Sequence, residues 1–253
     1  MKGLSGKVVV VTGAGQGIGE SYARRLAAEG CRVVVAEINA EQAERVAKQI
    51  VAEGGDALAV VTDVTDEESV TAMVGQTVEV YGRLDGLVNN AAVYYGIGLN
   101  PVDEIGIDMW DRVMAVNAKG TFLASRAVRP AMQAGGGGRI VNVASTVAFM
   151  GPAFVAHYVA SKGAVIALTR SLASEFAADG IIVNAVVPGA TWDEASEVLA
   201  GDPGVKDLMV EQQAIKRPQL PEDLTGIVCF LLSEEAPMMT GQLMVSDGGL
   251  VFH

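Results

Sequence analysis

The chain has 253 residues, half of them hydrophobic, and a formal net charge of −12 at neutral pH. That length suits one large α/β domain better than two small ones, with apolar residues enough for a substantial core. The acidic balance argues against nucleic acid, whose backbone needs a basic face, and against an anionic membrane or an acidic carrier protein.

The two cysteines, Cys31 and Cys229, form neither a disulfide framework nor a metal spacing. They read as small buried residues of a reducing compartment. The two histidines, His157 and His253, cannot assemble a histidine-rich metal site, so no catalytic metal is expected. The apolar run Val8 to Val11 is cut short by glycines, too short for an export signal. No stretch approaches the roughly 20 apolar residues of a membrane helix. The expectation is a soluble cytoplasmic protein.

In chain order, Lys7 to Thr12 is a β-branched run that predicts a buried strand. Glycines at 13, 15, 17 and 19 follow, then a helical stretch from Glu20 to Glu29 closed by Gly30. Strand, glycine turn and helix in that order make a phosphate cradle, because the backbone approaches closely and the helix start offers free N–H groups. Arg32 to Ile38 is a second strand. Glu37 stands at its end, about 20 residues beyond the glycines, placed to accept hydrogen bonds from an adenosine ribose. The same carboxylate would repel a 2′-phosphate, which favours NAD over NADP. No arginine stands at Gln16, Ile38 or Asn39 to reverse this.

Asn39 and Gln42 cap the next helix, to about Glu53, and Ala57 to Thr62 is the third strand, followed by Asp63-Val64. Thr65 and Glu68 have capping-box spacing for a helix to about Tyr81. A short strand, Gly86 to Val88, runs into Asn89-Asn90-Ala91-Ala92, small and amide residues suited to close contact with a ligand or to a turn. A helical region from about Trp110 to Met132 carries Asn117 within an apolar stretch. Arg139 to Ala144 is the fifth strand and delivers Ser145. A long helix runs from Tyr158 to Phe176, and Ile181 to Val187 is the sixth strand, closed by Pro188-Gly189. Residues from about 190 to 217 are irregular and read as a lid or as a surface helix pair. Pro221 opens a helix to about Leu232, and Leu243 to Asp247 is the last strand. Strands and helices alternate without a linker or repeat, so residues 1–253 form one doubly wound domain.

The four-residue step from Tyr158 to Lys162 puts a phenol and an ammonium on one helix face. A lysine there favours phenolate, which would let the tyrosine exchange a proton nearer neutral pH. Thr12-Gly13-(x)3-Gly17-x-Gly19, Asn89-Asn90-Ala91, Asn117, Ser145, Tyr158-(x)3-Lys162 and Pro188-Gly189 follow one another in order. This set, spread from Lys7 to Gly249, resembles the short-chain dehydrogenase/reductase family.

The resemblance implies a Rossmann-type α/β fold, a single doubly wound parallel sheet of about seven strands with helices on both faces. It implies that Tyr158 is the acid/base, that Ser145 holds the substrate oxygen, and that Lys162 grips the nicotinamide ribose and lowers the Tyr158 pKa. Asn117 would bend its helix and hold a water toward Lys162. The implied cofactor contacts are Gly13, Gln16, Gly17, Ile18, Gly19, Glu37, Asp63, Val64, Asn89, Ala91, Tyr158, Lys162, Pro188, Gly189 and Thr191. Two departures stand out: Ala92 replaces a usual glycine, and Asp193 occupies a position where the family often has threonine, leaving Thr191 for the carboxamide contact.

The expected substrate pocket is Tyr94, Tyr95, Ser145, Val147, Phe149, Val155, His157, Trp192, Leu199 and Met209, apolar and aromatic with no lysine or arginine. It fits an uncharged, moderately hydrophobic alcohol or ketone. The segment Ile215 to Leu231 and the ending Asp247 to His253 resemble the NAD-preferring branch holding 1-phenylethanol dehydrogenase and pyridoxal 4-dehydrogenase, hence an aryl or cyclic secondary alcohol. The family resemblance also implies a homotetramer, for which Leu250, Val251 and Phe252 are suited. Competing readings are a 3-oxoacyl carrier-protein reductase, a sugar or polyol dehydrogenase, and an NAD-binding regulator without turnover.

Overall fold

Val8–Thr12 has every residue buried, as a strand covered on both faces requires. The computed structural model describes residues 1–193 and 203–252. The strands are β1 (Val8–Thr12), β2 (Arg32–Glu37), β3 (Asp56–Val61), β4 (Gly86–Asn89), β5 (Gly138–Val143), β6 (Ile181–Pro188) and β7 (Leu243–Ser246). They form one parallel sheet in the order β3-β2-β1-β4-β5-β6-β7. The chain winds outward from β1 to β3, then returns to lay β4 on the other side of β1. That reversal opens a crevice at the C-terminal ends of β1 and β4, where sheets of this kind bind ligands.

The helices are α1 (Gly17–Ala28), α2 (Ala40–Ala52), α3 (Glu67–Tyr81), α4 (Ile107–Met114), α5 (Gly120–Ala134), α6 (Val147–Met150), α7 (Ala156–Phe176), α8 (Pro203–Gln212) and α9 (Pro221–Leu232). Successive strand residues point to opposite faces, and the core divides accordingly. Val9, Val11, Val33 and Val35 meet Tyr22 and Leu26 of α1, Val46 and Ile50 of α2, and Leu224 and Val228 of α9. Val8, Val10 and Val34 meet Met73 of α3, Leu123 and Met132 of α5, and Leu172 and Phe176 of α7. Each fully buried aliphatic side chain contributes roughly 1.5–3 kcal/mol relative to exposure. A charged residue at Val10 would therefore open the centre of the sheet.

Local chemistry differs from the sequence reading in three places. Helix α1 starts at Gly17 rather than Glu20, because Glu20 N already donates to the Gln16 carbonyl as the first helical bond. Helix α3 is capped by Asp66, whose side chain accepts from Glu68 N, whereas Thr65 Oγ1 donates to Asp63 Oδ1 at 2.7 Å. The carboxylate one residue on wins over the hydroxyl as the N-cap acceptor. The expected helix from Trp110 to Met132 is α4 and α5 joined through a π-turn, Ala115–Lys119, with Asn117 inside it. Within the expected lid, Thr191 bridges to Gln219 and α8 follows. Leu199 lies outside the described residues.

No helix among the described residues is long and apolar enough to cross a membrane. They hold no cluster of metal-ligating side chains.

Candidate active site

The glycine turn is built by close backbone packing. A methyl on Gly19 would lie 2.2 Å from the Gly13 carbonyl oxygen, and one on Gly13 would lie 2.8 Å from Ala91 Cα. Gly13 and Gly17 also have φ of 63° and 55°, which side chains disfavour. Thr12 Oγ1 accepts from the N–H groups of Asn90 (3.1 Å) and Ala91 (3.2 Å). Asn90 Nδ2 donates to the carbonyls of Thr12 (3.1 Å) and Gly13 (3.0 Å). Thr12 and Asn90, motif members outside the expected contact set, thereby pin the turn to the end of β4.

At the far side of the turn, Glu37 Oε2 accepts from Gly15 N at 3.1 Å and Oε1 from Asn39 N at 3.1 Å. The exposed Gln16 gives α1 no side-chain cap, so the first helical N–H groups face the crevice as an anion cradle. Partly buried Ile18 packs onto the α1 side of the core. Asp63 Oδ1 accepts from Thr65 N at 2.8 Å, and buried Val64 sits where a methyl on Gly120 would touch its Cγ2 at 2.8 Å. Pro188 ends β6, Gly189 N donates to Ser246 O at 2.9 Å, and Thr191 Oγ1 donates to Gly189 O at 3.2 Å. The turn without room for side chains, the open helix start and the anchored carboxylate fit a dinucleotide.

Asn89 behaves differently. Its amide donates to Ser125 Oγ (2.9 Å) and Asn142 Oδ1 (2.8 Å), and Asn142 in turn donates to Thr169 Oγ1 at 2.9 Å. This buried chain locks β4 to β5 and to helices α5 and α7. Its side chain faces the core rather than the crevice.

Ser145, Tyr158 and Lys162 converge at the ends of β5 and β6, all buried. Lys162 Nζ donates to the Val143 carbonyl at 2.8 Å and lies 5.6 Å from the Tyr158 ring centroid. Burial pushes the Lys162 ammonium down to about 8. Burial also raises the Tyr158 phenol well above its usual value; Tyr94 adds to the rise and a hydrogen bond with Ser145 opposes it. The expected lowering by Lys162 is thus not realised in the chain by itself: desolvation of the phenolate outweighs the help from Ser145.

Asn117 Oδ1 accepts from Val93 N at 2.7 Å, while its Nδ2 donates to Val93 O (3.3 Å) and Ser161 Oγ (3.0 Å). The side chain thereby ties the loop after β4 to the residue preceding Lys162. Ser161 was not legible as a participant, since a serine within a helix usually faces water.

Of the expected pocket residues, Tyr94 (47 % exposed) and Tyr95 stand at the surface above Tyr158, Val147 and Val155 pack beside Tyr158, and Phe149 is exposed on α6. The Tyr94 and Tyr158 ring centroids are 5.1 Å apart, and Tyr94 and Tyr95 meet edge to face at 5.6 Å. His157 is fully buried with neither ring nitrogen partnered, so it lies inside the protein and lines no opening. Trp192 is buried, and Lys206 Nζ lies 5.5 Å from its ring centroid, a cation beside a pocket read as free of them. Met209 is half-exposed on α8.

Residues 13–251 match the family model described as enoyl-(acyl carrier protein) reductase. An uncharacterised oxidoreductase of Mycobacterium tuberculosis is 45% identical over 245 residues, 97% of each chain. Cyclohexanol dehydrogenase of Acinetobacter sp. (strain SE19) is 38% identical over 252 residues, covering 97% of this chain and 95% of that one. The solved structure of NAD+-bound xylitol dehydrogenase superposes with a TM-score of 0.93 at 35% identity, over 98% of this chain and 100% of the other. The chain belongs to the short-chain dehydrogenase/reductase family and is an oxidoreductase.

Proposed function

We propose that the chain is an NAD-dependent dehydrogenase interconverting an uncharged, moderately hydrophobic secondary alcohol, aryl or cyclic, and its ketone. The observation that carries this reading is the buried group of Tyr158, Ser145 and Lys162 beneath an aromatic entrance, with the Tyr94 and Tyr158 rings 5.1 Å apart. Likeness to a cyclohexanol dehydrogenase supports the ring-shaped substrate.

Ser145 holds the substrate oxygen by a hydrogen bond. Tyr158 gives that oxygen a proton during ketone reduction and removes it during alcohol oxidation. Lys162, charged below about pH 8, favours the phenolate that oxidation requires. Asn117 positions both through its bonds to Val93 and Ser161. The nicotinamide, when bound, accepts or supplies the hydride.

The preference for NAD rests on Glu37, whose two oxygens are held by backbone N–H groups at the adenosine end. Arg45, which reaches the same turn, is neutralised by Glu20 at 2.7 Å and adds little attraction for a 2′-phosphate. Tetramer formation through an apolar C-terminus, where Phe252 is 85% exposed, completes the reading and is checked by light scattering.

The phenolic groups of Tyr94 and Tyr95 and the likeness to xylitol dehydrogenase favour a second reading, a polyol substrate. The test is the absorbance of reduced nicotinamide with NAD and then NADP, offering 1-phenylethanol, cyclohexanol, xylitol and aliphatic alcohols. Turnover with NAD on the aromatic or cyclic alcohols is expected. Best turnover on xylitol would support the polyol reading. Preference for NADP would overturn the Glu37 argument and return a carrier-protein reductase to the front.

A further inference from the structure

The loop after β6 carries a carboxylate into the cofactor crevice. Asp193 Oδ2 lies where a methyl on Gly17 would meet it at 2.5 Å, directly over the glycine turn. Both of its oxygens are 3.0 Å from the Tyr95 hydroxyl. Tyr95 contacts Tyr94 and Tyr94 contacts Tyr158; burial raises the Tyr94 phenol and the charge of Asp193 adds to the rise. The carboxylate thus stands between the glycine turn and the acid/base, on the path a dinucleotide must take from Glu37 to Tyr158.

We propose that Asp193 makes the site select the oxidised over the reduced nicotinamide cofactor, through the contact of its carboxylate with Gly17 and Tyr95. The inference rests on the nicotinamide reading above. Hydride is exchanged at the carbon whose oxygen Tyr158 serves, so the reacting ring lies at the Tyr158 end of the crevice, with the Asp193 carboxylate between it and the glycine turn. In alcohol oxidation the carbon loses a hydride to the ring and the oxygen loses its proton to the Tyr158 phenolate. The ring is a cation before that step and neutral after it. A fixed carboxylate attracts the first and not the second, whereas its repulsion of the diphosphate is common to both forms. Asp193 therefore weakens binding in general but favours loading with NAD+ and release of NADH, which suits a working direction of alcohol oxidation. A neutral hydroxyl at this position would make no such distinction.

The experiment measures dissociation constants for NAD+ by calorimetry and for NADH by fluorescence, in the wild-type protein and in Asp193→Asn, Asp193→Thr and Tyr95→Phe. The quantity read is the NADH constant divided by the NAD+ constant, in which diphosphate repulsion and any general loosening of the loop cancel. We expect Asp193→Asn and Asp193→Thr to lower that ratio roughly fivefold, the effect of one partly screened charge. Tyr95→Phe, which removes a donor from the carboxylate and leaves its charge less shielded, should not lower it. A ratio unchanged or raised in both Asp193 variants overturns the proposal while leaving the cofactor reading intact. A wild-type protein that binds neither NAD nor NADP in either redox form overturns both.

Discussion

The glycine turn and the aromatic entrance face each other across one crevice but are built from different materials. The turn is backbone against backbone, with Gly19 and Gly13 in contact and Thr12 and Asn90 binding the peptide groups of the neighbouring segment. The entrance is side chain against side chain, Tyr94 against Tyr95 and Tyr158, with both outer rings more than a third exposed. A diphosphate is the same in every dinucleotide, so rigid N–H groups suffice to hold it. An alcohol varies, and on the proposed function the exchangeable side chains are where it is recognised. Between them sit the buried Tyr158 and Lys162, whose chemistry depends on both.

The largest break in this contrast is chemical. Tyr158→Phe should lower turnover about a thousandfold, since the proton has no other path, while leaving the NAD dissociation constant within about twofold. A parallel loss of NAD affinity would mean that the phenol serves binding instead.

Next comes the turn itself. Gly19→Ala should cost about 2–3 kcal/mol in denaturant unfolding, because the methyl meets a carbonyl oxygen that the sheet holds in place. An unfolding midpoint like that of the wild type would show the turn to be pliable.

Asn117→Ala links the two regions. It removes the bonds to Val93 and Ser161, so turnover should fall about tenfold through displacement of Lys162 and the entrance loop, with the substrate KM shifting less than kcat. Asn117→Asp, which keeps an acceptor for Val93, should recover part of it.

The pH response sharpens the role of burial. Burial pushes Lys162 from 10.5 to about 8, so between those values the unfolded chain binds more protons than the folded one. This group therefore adds stability as pH rises through that window. From pH 7.5 to 9.5 the wild type should gain about 1–2 kcal/mol relative to Lys162→Met, measured by denaturant midpoints. The comparison cancels the raised Tyr158 phenol, which acts in the opposite sense above its usual value.

The smallest effect belongs to the entrance. Phe149→Ala should change KM for an aromatic alcohol by less than about tenfold and leave stability nearly unaltered, because the ring is already 37% exposed. A collapse of stability would make the entrance part of the core.

What the sequence alone determined was local. Seven strands, most of the helix order, the glycine turn and the Tyr158–Lys162 step were legible because each is written in a short-range pattern: β-branched runs, glycine spacing, helical period. The Asn39 cap was legible for the same reason, with its side chain accepting from Gln42 N. The tertiary structure decided what lies far apart in the chain. It turned Asn89 inward to Ser125 and Asn142, buried His157, set Lys206 over Trp192, and brought Asp193 onto Gly17 and Tyr95. It also reversed the expected direction of the Tyr158 pKa. Spacing fixes which face of a helix a lysine shares with a tyrosine, but only packing sets how much water both have lost, and there desolvation outweighs proximity.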